Sequence, residues 1–527
     1  MRTRPDTSFL VIGAFIFGAA IFLRLDQYFS GRSLWLDESL LALNIIDRPS
    51  SGLSDPLDLS QGAPLGFLIA AKLSVLSLGE SELALRLVPL LCGLGALGLF
   101  YVIARRVSSG FGVLLGLVLF ACSSSLVYYS VEFKQYSTEV AAGLALSAVA
   151  IPTGLLTARR YLVVSLLGAI LLWFAYATVF FLAAFATVYG LAFLAVRRWK
   201  DLGTVAGGSL IWLASGLAVY KVSYDDLESI SGSVASGNSA SSPLKPLGEA
   251  GASIINGAAS VVGGTAPQEL IRVAAFALGV TGAILLLRTK RYACLMLGLP
   301  IAFMFGAVLI GRYPAFERTV LIGVPAAILF IAHGTIYVAR RFRDSVGAAV
   351  GVALVILLVS YPLKTAVEGI GAPQRNNQGM KPLLQELVRG WQPSDTLYVH
   401  YAAQYAFRYY AECACSGAEG DSQSPPLSFA DRRTIGPDLW HGALLSRPPQ
   451  LVIGERHTPG DWAAYLSEVD PLRGRQRVWI LSSHYEPEEK EYITSLLPRH
   501  LDRLGHRQKL FIEGTARLLL YDLSGPG

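Results

Sequence analysis

The chain has 527 residues, of which 53% are hydrophobic and only 16% charged, with a mean hydropathy of +0.48. A soluble chain of this length would carry far more surface charge, so most of its apolar residues need lipid and not only a core. The formal net charge of +6 sits in short Lys/Arg clusters between apolar runs. That pattern points to topology determinants more than to nucleic-acid binding, which would want a basic face on a soluble module.

From the N-terminus, Phe9–Leu25 is the first apolar run long enough to cross about 30 Å of hydrocarbon. Its basic flank resembles a signal peptide, but Gly18–Ala20 is a poor cleavage site and the run continues through it, so it reads as a retained span. Further spans are predicted at Leu83–Ala104, Gly110–Val127, Val140–Leu156, Tyr161–Tyr176 and Val179–Val196. They continue at Leu202–Val222, Leu270–Leu287, Tyr292–Ile310, Thr319–Ala339 and Val346–Tyr361, giving about eleven transmembrane helices.

Pro64–Leu78 decides the topology. It is apolar but short, and Lys72 sits in its middle, where an ammonium at mid-bilayer costs about 2.5–3.5 kcal/mol. If this stretch lies in the interface, the clusters Arg2/Arg4, Arg105/Arg106, Arg159/Arg160, Arg197/Arg198/Lys200, Arg288/Lys290/Arg291 and Arg340/Arg341/Arg343 all fall on one side. The positive-inside rule then makes that side cytoplasmic, and the N-terminus with it. Asp26–Arg86, Tyr128–Glu139, Ser223–Glu269, the turn Gly311–Arg318 and everything after Lys364 face outward. Ser223–Glu269, rich in Gly, Ser and Ala, reads as a mobile loop suited to a lid.

The tail has a different pattern. Asp395–His400, Gln450–Gly454, Arg477–Leu481 and Lys509–Glu513 are predicted strands; Met380–Arg389, Ala402–Ala411 and Pro487–Leu497 are predicted helices. Their alternation points to a small extracytoplasmic α/β domain over 364–527, following a transmembrane module over 1–363. No phosphate loop or nucleophile elbow occurs in it. Cys92, Cys122 and Cys294 lie in apolar segments and read as small buried hydrophobes. Cys413 and Cys415 are too close in sequence for an unstrained mutual disulfide, so free or labile thiols are expected. No zinc-type spacing is present.

The chemistry-bearing residues gather on the outward side. Leu34-Trp35-Leu36-Asp37-Glu38-Ser39 puts two adjacent carboxylates just beyond the first span, where each raises the pKa of the other. Such a carboxylate can take a proton from an attacking hydroxyl. Equally, Asp37 could simply cap a helix beginning at Glu38. Gln61-Gly62-Ala63-Pro64-Leu65 leads into the interfacial helix with Lys72, which could snorkel to headgroups; Glu80, Glu82 and Arg86 follow. Tyr128 to Tyr136 holds Glu132 and Lys134 at the membrane edge, which an aromatic belt alone does not explain. Arg312 and Arg318 lie outside, against the charge bias. They suit a lipid phosphate or ordinary headgroup contact.

Trp35-Leu36-Asp37-Glu38 after the first span resembles the acidic motif of GT-C-type glycosyltransferases. These include protein O-mannosyltransferases, the aminoarabinose transferase of lipid A and related lipopolysaccharide sugar transferases. The order that follows is also similar: a Pro-Leu interfacial helix, Gly79-Glu80-Ser81-Glu82 with Leu85-Arg86-Leu87, a span ending Ala104-Arg105-Arg106, then Glu132-Phe133-Lys134-Gln135-Tyr136. The likeness is strongest over about the first 200 residues. Gln61-Gly62-Ala63-Pro64 stands where His- or Lys-Pro-Pro is usual, and Phe133-Lys134-Gln135-Tyr136 where Ala-Arg-Pro-Tyr is commoner.

The resemblance implies a GT-C-like helical fold and an inverting transfer outside the cytoplasm from a polyprenyl-phosphate sugar donor to an envelope glycan, lipid or protein acceptor. At matching positions Asp37 becomes the base and Glu38 its support. Lys72, Lys134, Arg312 and Arg318 stabilise the leaving phosphate, and Gln61, Arg86, Glu132 and Tyr136 contact substrate. No acid need protonate the leaving group, which is already a phosphate. No metal is required, since the sequence shows no dedicated oxygen cage, although Mg²⁺ or Mn²⁺ could share Asp37 and Glu38 with the donor phosphate. Membrane lipids are expected partners, and nucleic acid is not. Two other readings stay open: a transporter or flippase of lipid-linked saccharide, and a scaffold subunit of an envelope polysaccharide machine. The first would want ionisable residues inside spans or repeated halves, and neither stands out.

Overall fold

The computed structural model describes residues 7–108, 110–151, 156–223, 268–314, 316–341, 345–374, 378–412, 451–458, 460–485 and 489–525. The expectations for the Ser223–Glu269 loop, apart from Ser223 and the residues after 267, and for Cys413 and Cys415 lie outside these residues.

The chain forms two compact units. The first comprises Met1–Ser30, Ser50–Ser74 and Arg86–Gln374; the second comprises Gly31–Pro49, Val75–Leu85 and Arg375–Gly527. The sequence suggested a division at residue 364 alone, whereas the contacts group two early segments with the tail.

The first unit is helical, and the protein is a multi-pass membrane protein. Eight helices among the described residues are long and apolar enough to cross a membrane: Thr7–Phe29 (α1), Glu82–Val107 (α4), Thr178–Ala195, Trp199–Val222, Ile271–Thr289, Arg291–Leu309, Val320–Arg341 and Gly347–Glu368. The other predicted spans also fall on helices, but shorter ones. Phe111–Cys122 (α5) and Ser124–Tyr129 (α6) share one predicted span, Tyr136–Ala150 (α7) occupies a second, and Ala158–Leu171 (α8) a third.

The break at Ser123 has a local cause. Its hydroxyl accepts the Leu126 amide at 3.4 Å, capping α6, so α5 ends with open carbonyls. Arg24 answers them from α1: its buried guanidinium donates to Ala20 O at 3.0 Å and Phe120 O at 3.5 Å. Gly282 and Gly334 let two spans touch backbone to backbone, since a Cβ on either would meet a carbonyl oxygen of the other helix. Cys122 and Cys294 are buried free thiols, as apolar neighbours favour; Cys92 is half-buried.

Leu65–Leu78 (α3) has 14 residues, about 21 Å of helix, short of a bilayer crossing. Its start is docked: the Gly66 amide donates to Trp173 O at 2.7 Å, and a side chain at Gly66 would strike that same oxygen.

The second unit holds a five-stranded sheet with Thr396–Val399 (β1), Leu451–Ile453 (β2), Val478–Ser482 (β3), His506–Glu513 (β4) and Ala516–Asp522 (β5). The strand order is β2-β1-β3-β5-β4. β2, β1 and β3 run parallel, and β5 and β4 complete the sheet antiparallel. β1 and β3 are buried throughout, so they appear in sequence as mainly apolar runs without alternation. β4 is an exposed edge and carries His506, Arg507 and Lys509, charges that blunt pairing with other chains. Tyr398, Val478, Ile480, Tyr465, Tyr492, Leu519 and Tyr521 form the core on one face of this sheet. Leu36–Asp47 (α2), from the first loop, belongs to this unit.

Candidate functional site

Within the second unit, α2 begins at Leu36, with Trp35 extended before it (φ −87°, ψ 177°). Asp37 and Glu38 therefore occupy the first turn, where the helix dipole favours anions. Capping falls to Glu38: its Oε2 accepts the Trp35 amide at 3.3 Å, and its Oε1 lies 3.7 Å from Arg32 Nη2. Glu38 is fully buried. The alternative in which Asp37 caps the helix is thus corrected, because a glutamate at the third helical position reaches back to the preceding amide. Asp37 is half-buried and accessible.

The strand of chain before Asp37 is fastened at three points, all inside this unit. The Leu34 amide donates to Tyr410 Oη at 2.7 Å, and that hydroxyl donates to Glu82 Oε1 at 2.6 Å. Lys381 Nζ reaches Glu82 Oε2 at 2.6 Å, and the Lys381 amide donates to Ser33 Oγ at 3.1 Å. The Leu36 amide donates to Gln378 Oε1 at 3.1 Å. At the far end of α2, Arg408 pairs with Asp47 at 3.0 Å. Residues of the tail thus set the backbone that carries Asp37.

His484, which follows β3, neighbours Asp37 and has both ring nitrogens without a hydrogen-bond partner among the described residues. Burial pushes its imidazole down to about 3, the Asp37 charge opposing that shift. Its φ is 63°. An unsatisfied buried polar group costs about 1–3 kcal/mol, and a left-handed backbone adds to that.

Within the first unit, a second group of residues gathers. Leu59 and Ser60 both adopt positive φ (64° and 52°), turning Gln61 so that its Oε1 accepts from Lys134 Nζ at 2.7 Å. The Glu132–Gln135 turn is tight, with the Lys134 amide on Glu132 O at 2.7 Å. It is tied to α3 by Phe133 stacking on Phe67 at 5.9 Å. Lys72 on α3, Glu132 and Arg86 are buried by protein, so Lys72 does not snorkel to open solvent. Arg318 lies over the Tyr136 ring at 5.9 Å, and its neighbour Glu317 accepts from Ser125 Oγ at 2.7 Å. Arg312 is exposed, and among the described residues no contact ties it to the others. The structure therefore joins Gln61 with Lys134, and Arg318 with Tyr136.

No protein-family model matches the sequence, and no curated protein matches it. Solved structures do. The chain is similar to ArnT from Cupriavidus metallidurans bound to undecaprenyl phosphate, with TM-score 0.52 and 13% identity, covering 99% of this chain and 100% of that one. The fold is GT-C-like. Weaker likenesses are to the same ArnT in the apo state (TM-score 0.49, 14% identity, 98% of each chain). Another is to the archaeal oligosaccharyltransferase AglB from Archaeoglobus fulgidus with an inhibitory peptide and a dolichol-phosphate (TM-score 0.48, 11% identity, 98% of this chain and 74% of that one).

Within this GT-C-like fold, sequence reasoning missed Arg32, Gln378, Lys381, Tyr410 and His484. Gln378, Lys381, Tyr410 and His484 stand at the other end of the chain from Asp37, and no spacing rule links residues so far apart. Arg32, five residues before Asp37, was the one legible signal: an outward basic residue against the general charge bias. Among the described residues no group of three or more His, Cys, Asp or Glu side chains is placed to hold a metal ion. Glu38 is already engaged by Arg32 and the Trp35 amide, so the acidic pair is not by itself a divalent-cation cage.

Proposed function

We propose that this protein is a membrane glycosyltransferase that moves a sugar from a polyprenyl-phosphate donor to an envelope glycan, lipid or protein acceptor. Transfer takes place on the extracytoplasmic face, with inversion at the anomeric carbon. The observation that carries this reading is the division of labour in the acidic pair. Glu38 is consumed by structure, whereas Asp37, one residue earlier, stays half-buried and reachable on a backbone fastened from several sides. The GT-C-like fold supports it.

In this reading Asp37 accepts the proton of the acceptor nucleophile. The nucleophile forms its bond to the anomeric carbon as the bond from that carbon to the lipid phosphate oxygen breaks, and the electron pair leaves with the phosphate. Lys72, Lys134, Arg312 and Arg318 stabilise that charge, an effect that dominates many such reactions. Gln61 holds Lys134, while Arg86, Glu132 and Tyr136 contact substrate. The membrane spans house the lipid tail. Labelled polyprenyl-phosphate sugars supplied to the full-length protein in proteoliposomes test the assignment: covalent transfer supports it, and translocation without transfer replaces it with a carrier.

A further inference from the structure

β3 ends at Ser482, and the chain leaves it through Ser483 and His484. Among the described residues the hydroxyls of Ser482 and Ser483 and both ring nitrogens of His484 lack hydrogen-bond partners, although these residues are only 1%, 0% and 5% exposed. His400, which follows β1 and donates its amide to Leu481 O at 2.8 Å, adds two more orphaned nitrogens beside them. Buried polar groups are nearly always paired, so such a run in one short segment asks for a cause. The strained backbone of His484 asks the same, since positive φ at a bulky residue persists only where surroundings enforce it.

The segment's place in the sheet supplies a cause. From β1 the chain goes to β2 on one side and then to β3 on the other, all three parallel. Such a reversal opens a crevice at the carboxyl ends of the strands, where open sheets of this kind bind ligands. Ser482, Ser483, His484 and His400 stand at those ends, and Asp37 neighbours His484 within the same unit.

We propose that Ser482, Ser483 and His484 form an acceptor subsite for a hydroxyl-rich saccharide, with His484 holding the nucleophilic hydroxyl beside Asp37. This rests on the transferase reading and names its acceptor class. Serine hydroxyls and a neutral imidazole both donate and accept, as the hydroxyls of a saccharide do. An anion would meet the Asp37 carboxylate, and the nearby Arg32 is already paired with Glu38. Burial keeps His484 uncharged, which again disfavours recognition by charge.

The test uses the full-length protein in nanodiscs with two probes: methyl hexosides followed by saturation-transfer NMR, and undecaprenyl phosphate followed by thermal shift. The subsite predicts hexoside saturation in the wild type. Ser483→Ala and His484→Ala should each weaken it about tenfold, the factor carried by a lost hydrogen bond of roughly 1.4 kcal/mol. His484→Gln, which keeps a donor and an acceptor, should restore most of it, and undecaprenyl phosphate binding should not change. No hexoside saturation in the wild type, equal saturation in all variants, or joint loss of both probes would overturn the subsite. Hexoside binding without any undecaprenyl phosphate binding supports the subsite and removes the transferase reading instead.

Discussion

The carboxylate of Glu38 lies 3.7 Å from the guanidinium of Arg32, with both side chains almost wholly buried. Removing one member of a buried ion pair leaves the other uncompensated, at about 3–5 kcal/mol. Arg32→Ala should therefore lower the melting temperature of the full-length protein clearly, and Glu38→Ala should do the same while also opening the first turn of α2. Asp37→Asn should leave melting unchanged. Equal melting for all three variants would separate the pair from the stability of the loop.

A second prediction concerns Tyr410, whose hydroxyl links the Leu34 amide to Glu82. Tyr410→Phe deletes both bonds, and a hydrogen bond to a charged group is worth about 1.5–3 kcal/mol. Turnover should fall because the backbone before Asp37 loosens, while membrane insertion and the KM for donor stay the same. Unchanged turnover would show that the loop does not need this fastening.

The spans and the α/β character of the tail were legible because lipid and sheet interiors impose long apolar runs and alternating elements. β1 through β3 appeared within a residue or so of their expected places. β4 begins at His506, earlier than Lys509, because its charged edge residues masked it. β5, an internal strand with nearly every position buried, was missed: Ala516–Asp522 lacks the alternation that marks a half-exposed strand. The acidic pair was found, but not which of its members caps α2, since only geometry tells that Glu38, not Asp37, reaches back to Trp35. The fastening by Gln378, Lys381 and Tyr410 was invisible, because hydrogen bonds between distant segments leave no period in a sequence.

Acid sensitivity follows from the two buried histidines of the second unit. Burial lowers His400 from 6.5 to about 4 and His484 from 6.5 to about 3. The unfolded chain takes up these protons as pH falls through 6.5, while the folded unit does so only near 4 and 3. Stability is therefore full above about pH 6.5 and declines toward pH 4, by up to about 1.4 kcal/mol per pH unit for each histidine. Hydrogen-exchange protection factors, corrected for the intrinsic rate at each pH, should fall at the amides of β1 and β3 between pH 7 and pH 5, and His400→Phe should lessen that fall. Exchange with no histidine-dependent pH response would contradict the burial of these rings.

The phosphate role proposed for Lys134, which Gln61 holds, carries its own prediction. Lys134→Ala should weaken undecaprenyl phosphate binding by about tenfold or more, as loss of a charge-assisted bond does. Gln61→Ala should have a smaller effect, since it leaves the ammonium in place. Binding of undecaprenyl phosphate to immobilised full-length protein, measured at two salt concentrations, checks both; identical binding in Lys134→Ala would take this residue out of the phosphate role.

The base assigned to Asp37 is tested most directly by single-turnover transfer of a labelled sugar from polyprenyl phosphate, comparing wild type with Asp37→Asn in proteoliposomes. The account predicts a variant that inserts, melts and binds undecaprenyl phosphate like the wild type. Its transfer should be slower by about a hundredfold or more, the scale of general-base assistance. Transfer at the wild-type rate by Asp37→Asn would contradict it.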